Sequence, residues 1–162
     1  GGQITDQSLI ARHVGDLQIG VYVAPSYVER LGAPAHPREL QNTDHCIVGF
    51  LSSRTSKIDP LVLCSENERI EITGNYVLAV DDGNAYLEAG LVGLGVIALP
   101  NYMAAAHQAV GALIPLFTQW RISPMPLYLA FPPNRHVNAK LRVFIDWIVE
   151  LMEQHVPIAN NQ

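Results

Sequence analysis

Uncharged apolar runs alternate along this chain with stretches of helical spacing, and the pattern is clearest over residues 80–100, VDDGNAYLEAGLVGLGVIALP. Just before it, Tyr76–Val80 (YVLAV) is apolar and uncharged, as a buried strand would be. Asp81-Asp82-Gly83-Asn84 carries turn and N-cap chemistry. Leu87, Gly90, Leu91 and Leu94 then recur at helical spacing. Gly93 and Gly95 can supply the positive φ that ends a helix. Residues 96–99 (VIAL) form a second apolar run, stopped by Pro100. Two uncharged strands around one helix predict a βαβ unit with parallel strands covered on both faces. In such sheets ligands sit at the carboxyl ends of strands, beside helix N-termini. Here that place is Asp82-Gly83-Asn84.

The rest of the chain reads around this unit. Residues 8–14 suit a short extended segment, and residues 17–24 (LQIGVYVA) alternate as one strand. Pro25 and Ser26 open a helix over residues 27–31, which Gly32 closes. Residues 37–41 fit a single helical turn, and residues 46–50 (CIVGF) a buried strand. The polar stretch 51–60 reads as a surface loop. Leu61–Cys64 and Arg69–Ile72 form a predicted hairpin across SENE. Asn101 is expected to cap a helix that runs to about Val110 and ends at Gly111. Residues 113–116 and 126–131 are the last strands. Asn138 is expected to cap the helix Ala139–His155, whose apolar stripe is Leu141, Phe144 or Ile145, Ile148, and Leu151 or Met152. The tail PIANNQ reads as frayed.

Composition narrows the function classes. Of 162 residues, 49% are hydrophobic and 15% charged, which is the make-up of a well-buried globular chain and not of a disordered one. The formal charge is −5, and the ten Lys and Arg form no run, so no nucleic-acid footprint is visible. No apolar stretch reaches the roughly 18 residues of a membrane span, and no basic segment followed by an apolar block suggests a signal peptide. Cys46 and Cys64 belong to no CxxC pair, so reduced thiols and a cytoplasmic location are expected.

Candidate chemistry is sparse. Gly90, Gly93 and Gly95 lie at a helix C-terminus, where they cannot cradle a pyrophosphate; close helix–strand packing explains them better. No two of the six histidines stand at i, i+4, and His45 with Cys46 points to opposite faces of a strand. No metal or cofactor is expected. Cys46 reads as a small buried hydrophobe rather than a nucleophile. A G-x-S-x-G elbow is absent, and the doublet Asp81-Asp82 suits helix capping better than acid–base work.

Four ordered blocks change the picture: SLIARHVGDLQIGVYVAPSYVERLGAP, PRELQNTDHCIV, VDDGNAYLEAGLVGLGVIALP and PLYLAFPPNRHVNAKLRVFIDWIVELM. Together, over residues 5–153, they resemble the effector-binding domain of LysR-type transcriptional regulators. The resemblance implies an α/β fold of the type II periplasmic-binding-protein kind, with two lobes, a cleft and two crossing segments. Residues 1–18 would end the first lobe and cross over, 19–121 would form the complete second lobe, and 122–162 would return to the first lobe as one strand and one helix. The winged helix-turn-helix, its linker helix and the first half of the first lobe are missing from the sequence, so the chain reads as a fragment.

The implied function is non-enzymatic. The domain would bind a small metabolite, often anionic in this family, and modulate transcription through a homo-dimer or tetramer. DNA would be contacted only through the missing helix-turn-helix, and no membrane is involved. The alternative is a solute-binding or enzymatic α/β domain with a similar cleft. The effector-binding residues are expected to be Asp82, Gly83, Asn84, Gly49 and Phe50, with Phe131 at the return crossing. The carboxyl ends of Tyr76–Val80 and residues 46–50 should meet at one sheet edge, onto which the following helix directs its free N–H groups. Asp82 opposes an anion, so it is expected to cap the helix while Gly83 and Asn84 offer donors.

Overall fold

Fourteen regular elements follow one another in the computed structural model, which describes residues 9–42, 44–131 and 139–155. They are β1 (Ile10–Leu17), β2 (Ile19–Val23), α1 (Pro25–Leu31), α2 (Glu39–Asn42), β3 (Ile47–Phe50), β4 (Leu61–Cys64) and β5 (Arg69–Ile72). Then come β6 (Tyr76–Val80), α3 (Gly83–Leu91), β7 (Ile97–Pro100), α4 (Asn101–Ala109), β8 (Ile114–Leu116), β9 (Met125–Phe131) and α5 (Ala139–His155). They fall into two compact units, Ile19–Ser123 and Gly1–Gln18 with Pro124–Gln162. The apolar run over residues 17–24 is therefore not one strand. It breaks at Gln18, where the chain passes from one unit to the other.

The unit Ile19–Ser123 is built on a sheet assembled from two parts. β3 pairs with β6 in parallel, and β2 pairs antiparallel with both β7 and β8. A single parallel bridge, Ile47 to Val96, joins the parts and gives the order β6-β3-β7-β2-β8. The βαβ unit read from the sequence is present, with β3 lying between its two strands. Cover on both faces fails at β6, where Val77 is 50% exposed and Leu78 39%. The reason is position: β6 ends the sheet, and α3 leaves it to reach β7 on the far side of β3.

Alternation along the strands sorts side chains into two cores. Val21, Val23, Ile47 and Val96 face one side with Tyr27 of α1, Leu40 of α2 and the β4–β5 hairpin. Tyr22, Val48 and Ile97 face the other with Tyr86 and Ala89 of α3 and Ala104 of α4. Gly90 lets α3 lie directly on Ile97, since a Cβ there would run into that side chain. Gly95 lets the backbone come close to β3; a Cβ would meet Cys46 O at 2.9 Å. These glycines serve packing, as their spacing suggested. Asn101 does not cap α4. Pro100 holds the cap position, and Asn101 Oδ1 instead accepts the Tyr22 hydroxyl at 2.9 Å.

In the other unit β1 and β9 pair antiparallel from Ile10↔Phe131 to Leu17↔Met125, with a bulge between His13 and Gly15. α5 packs on β1, and Arg12 meets Asp146 at 3.2 Å. The apolar stripe of α5 divides. Ile145 is buried, and Leu141 and Ile148 are half-buried. Phe144 and Trp147 are 50% and 53% exposed, their rings 6.0 Å apart. Asn138 and the tail after His155 lie outside the described residues.

The two roles of glycine predict different costs. Gly95→Ala forces backbone against backbone and is expected to lose about 1–3 kcal/mol of stability. Gly32 has φ 78° and open space around it, so Gly32→Ala should lose only about 1 kcal/mol, from the left-handed conformation alone. Urea unfolding of the two variants checks this, and equal losses would contradict it.

Candidate functional site

The carboxyl ends of β3 and β6 lie side by side, with Gly49 opposite Ala79 and Phe50 opposite Val80. Leu51 N–H extends the pairing by donating to Val80 O at 2.7 Å. Two residues after Val80 comes Asp82, the N-cap of α3. Its Oδ1 accepts the backbone N–H groups of Asn84 at 3.0 Å and Ala85 at 2.8 Å. A carboxylate here satisfies two unpaired donors and complements the helix dipole. Of the donors expected at this turn, the Asn84 backbone is thus taken by Asp82. The Gly83 N–H and the exposed Asn84 side-chain amide stand beside it.

On its other side β3 parts from β7. Past the Ile47–Val96 bridge, Ala98 N–H donates not to β3 but to the Tyr86 hydroxyl, at 3.0 Å. The loop after Phe50 folds back alongside β3. Leu51 bridges Ile58, Ser52 N–H donates to Lys57 O, and Asp59 N–H donates to Phe50 O at 3.0 Å. Between these pieces lies a pocket of about 170 Å³, with Gly49, Phe50, Asp59, Tyr76, Tyr86 and Ile122 among its walls. The Phe50 ring stands edge-on to Tyr86, centroids 5.4 Å apart. Burial pushes the Tyr86 phenol up to about 12, outweighing the Ala98 N–H it accepts, which acts the other way.

The structure thus brings Gly49 and Phe50 into a pocket wall. Asp82, Gly83 and Asn84 start the helix that follows the adjoining strand end and do not line that pocket. Phe131 belongs to the other unit, half-buried at the end of β9 and opposite Ile10. Sequence reasoning missed Tyr86, Tyr76, Asp59 and Ile122. For Tyr86 a signal existed, since a tyrosine on the buried side of a helix needs a partner for its hydroxyl. Asp59 and Ile122 arrive through loop closure and carry no periodic signal. Among the described residues no group of three or more His, Cys, Asp or Glu is placed to hold a metal ion, and no described helix is long and apolar enough to cross a membrane.

The family model of the LysR substrate binding domain matches residues 1–153. The chain belongs to this family. Its fold is the type II periplasmic-binding-protein-like α/β fold, and the family consists of transcriptional regulators rather than enzymes. That decides against the solute-binding or enzymatic alternative. A helix-turn-helix-type transcriptional repressor of Pseudomonas aeruginosa is 28% identical over 158 residues, 98% of this chain and 49% of that protein. The regulator CrgA of Neisseria meningitidis is 29% identical over 150 residues, 92% of this chain and 48% of that protein. The chain therefore spans about half the length of these relatives. The solved regulatory domain of CrgA superposes with a TM-score of 0.72 at 25% identity, covering 93% of this chain and 72% of that one. Full-length AphB of Vibrio cholerae gives a TM-score of 0.73 at 22% identity, over 94% of this chain and 50% of that one, a likeness of fold.

The buried phenol makes a pH prediction for this LysR-family chain. Tyrosine ionises near 10.0 in the unfolded chain, and Tyr86 near 12 in the folded one. A raised folded value gives stability that is complete below pH 10 and lost as pH rises toward 12. Tyr22, Tyr27 and Tyr76 are raised by burial as well and add to the loss. Tyr86→Phe should flatten the fall of unfolding free energy above pH 10, measured by urea titration at several pH values. Parallel curves for the two proteins would refute the assignment.

Proposed function

We propose that this chain is the effector-sensing part of a LysR-type transcription factor and binds a small, anionic metabolite at the β3–β6 sheet edge. The observation that carries it is the family match over residues 1–153, joined to the register that sets Phe50 beside Val80 at the foot of α3. In this reading Gly83 and Asn84 supply donors, Asp82 holds the helix start, and Gly49 and Phe50 form the neighbouring wall. Phe131 enters through the family resemblance. An anion at such a terminus gains about 0.3–1 kcal/mol when exposed and up to ~2 when partly buried. The regulator would act in the cytoplasm and contact DNA through a helix-turn-helix domain, as a net charge of −5 disfavours phosphate contacts by this part of it. The effector shifts transcription only if it binds one arrangement of the regulator better than another.

Asn84→Leu in the intact regulator tests the site. The cap made by Asp82 uses only the backbone of residue 84, so helix and core should persist. The effector dose–response curve is expected to move to higher concentration, by about two- to tenfold for one lost hydrogen bond, while operator binding without effector persists. An unmoved curve places the effector elsewhere.

A homo-dimer or tetramer is part of the same proposal. Val143, Phe144 and Trp147 give α5 an exposed apolar face, a kind of surface that seeks partners. Light scattering of this chain at high micromolar concentration should return at least a dimer mass, lowered by Trp147→Asp. A strictly monomeric mass would rule the association out.

A further inference from the structure

We propose that the fork between β3 and β7 is a binding pocket for one neutral ring, or a short branched chain of similar size, that carries a single hydrogen-bond acceptor. It deepens the effector reading and rests on it for its regulatory meaning: the charged group of a metabolite would belong at the start of α3, its neutral body in the fork.

Size comes first. The pocket holds about 170 Å³, and a dry apolar cavity of about 150 Å³ accommodates one benzene ring. Its walls are mainly apolar: Val48, Leu61, Val62 and Ile122, with the rings of Phe50 and Tyr86. The polar groups then restrict the ligand further. The Tyr76 hydroxyl is spent on Ile72 O at 3.2 Å, and Asp59 N–H on Phe50 O. The Tyr86 oxygen accepts Ala98 N–H, but its own O–H hydrogen has no acceptor among the described residues. A ligand acceptor would complete it. The acidic residue Asp59 also belongs to the lining, and its negative charge disfavours an anion there. Neutral charge and one acceptor follow from these two groups together.

Position agrees with this. From β3 the chain runs to β6 on one side, and from β7 through α4 to β8 on the other, so the connections of the neighbouring strands β3 and β7 leave in opposite directions at this fork. Crevices of that kind in open α/β sheets are where ligands bind.

The test uses this 162-residue chain, methyl-detected NMR and three probes: acetophenone, toluene and benzoate. Acetophenone should shift the methyl signals of Val48, Val62 and Ile122 saturably, and benzoate far less at equal concentration. Tyr86→Phe should weaken acetophenone about fivefold, as for one hydrogen bond, and leave toluene unchanged. Ala98→Leu, which fills the pocket from β7, should abolish both and keeps the test open should Tyr86→Phe not fold. No saturable shift in the unaltered chain, benzoate binding as well as acetophenone, or acetophenone binding that survives Ala98→Leu would overturn the proposal. None of these results bears on the Asn84→Leu dose–response, so the pocket and the effector site at α3 fail separately.

Discussion

One backbone contact governs the unit Ile19–Ser123: the parallel bridge between Ile47 and Val96. Val48 N–H donates to Val96 O at 3.0 Å, and Val96 N–H to Cys46 O at 2.9 Å. Among the described residues no other pairing holds β6-β3 to β7-β2-β8. The approach is possible because residue 95 is glycine; any Cβ would press on the backbone of Cys46 and Ile47. The start of β3 is held from the other side as well, where the buried Tyr27 hydroxyl accepts Cys46 N–H at 2.9 Å and pairs with His45 Nδ1 at 2.9 Å. Both hydrophobic cores run across this joint, since Ile47 and Val96 belong to one and Val48 and Ile97 to the other. Loss of the joint would open both at once.

The same economy creates the pocket. Two strands fixed at a single point are free to diverge beyond it, whereas a full ladder would have closed the gap. The loop after Phe50 then has room to fold back along β3, and the Tyr86 phenol to reach β7 from the helix below. The helix start of α3 and the fork are thus two consequences of one arrangement, lying on the two edges of the same short strand. One edge is paired from Ile47 through Phe50 to β6, with one register shift after Ile47, and positions the helix start. The other is paired once and left open.

Much of this was legible because it is local. Asp82 caps α3 in the residues that signalled a cap, and the β4–β5 hairpin closes across SENE as its turn residues indicated. The apolar runs of β3 and β6 declared two strands with little solvent-facing polarity. What escaped depends on partners distant in sequence. Asn101 has the chemistry of a cap, but a hydroxyl 79 residues earlier competes for its amide oxygen and wins. The run over residues 17–24 has strand character throughout, and nothing in that pattern marks Gln18 as the passage between two units. Likewise Val77 and Leu78 look like core and are edge, because strand order is decided by where α3 lands and not by the composition of β6.

A fork in a sheet is stable only if the backbone groups it releases find other partners. A buried polar group left unpaired costs about 1–3 kcal/mol, and a domain has only about 5–15 kcal/mol in total. Here two of the released groups are satisfied off the ladder: Ala98 N–H by Tyr86, Phe50 C=O by Asp59 N–H. No buried side-chain nitrogen or oxygen among the described residues lacks a partner. The Tyr86 O–H hydrogen is left over, on a phenol that burial pushes up to about 12. A β3–β7 gap closed by apolar side chains would have needed neither the tyrosine nor the returning loop. That the gap is kept open, with the Ala98 N–H satisfied by a side chain that has a donor to spare, is what supports reading it as a binding pocket and not as a packing defect.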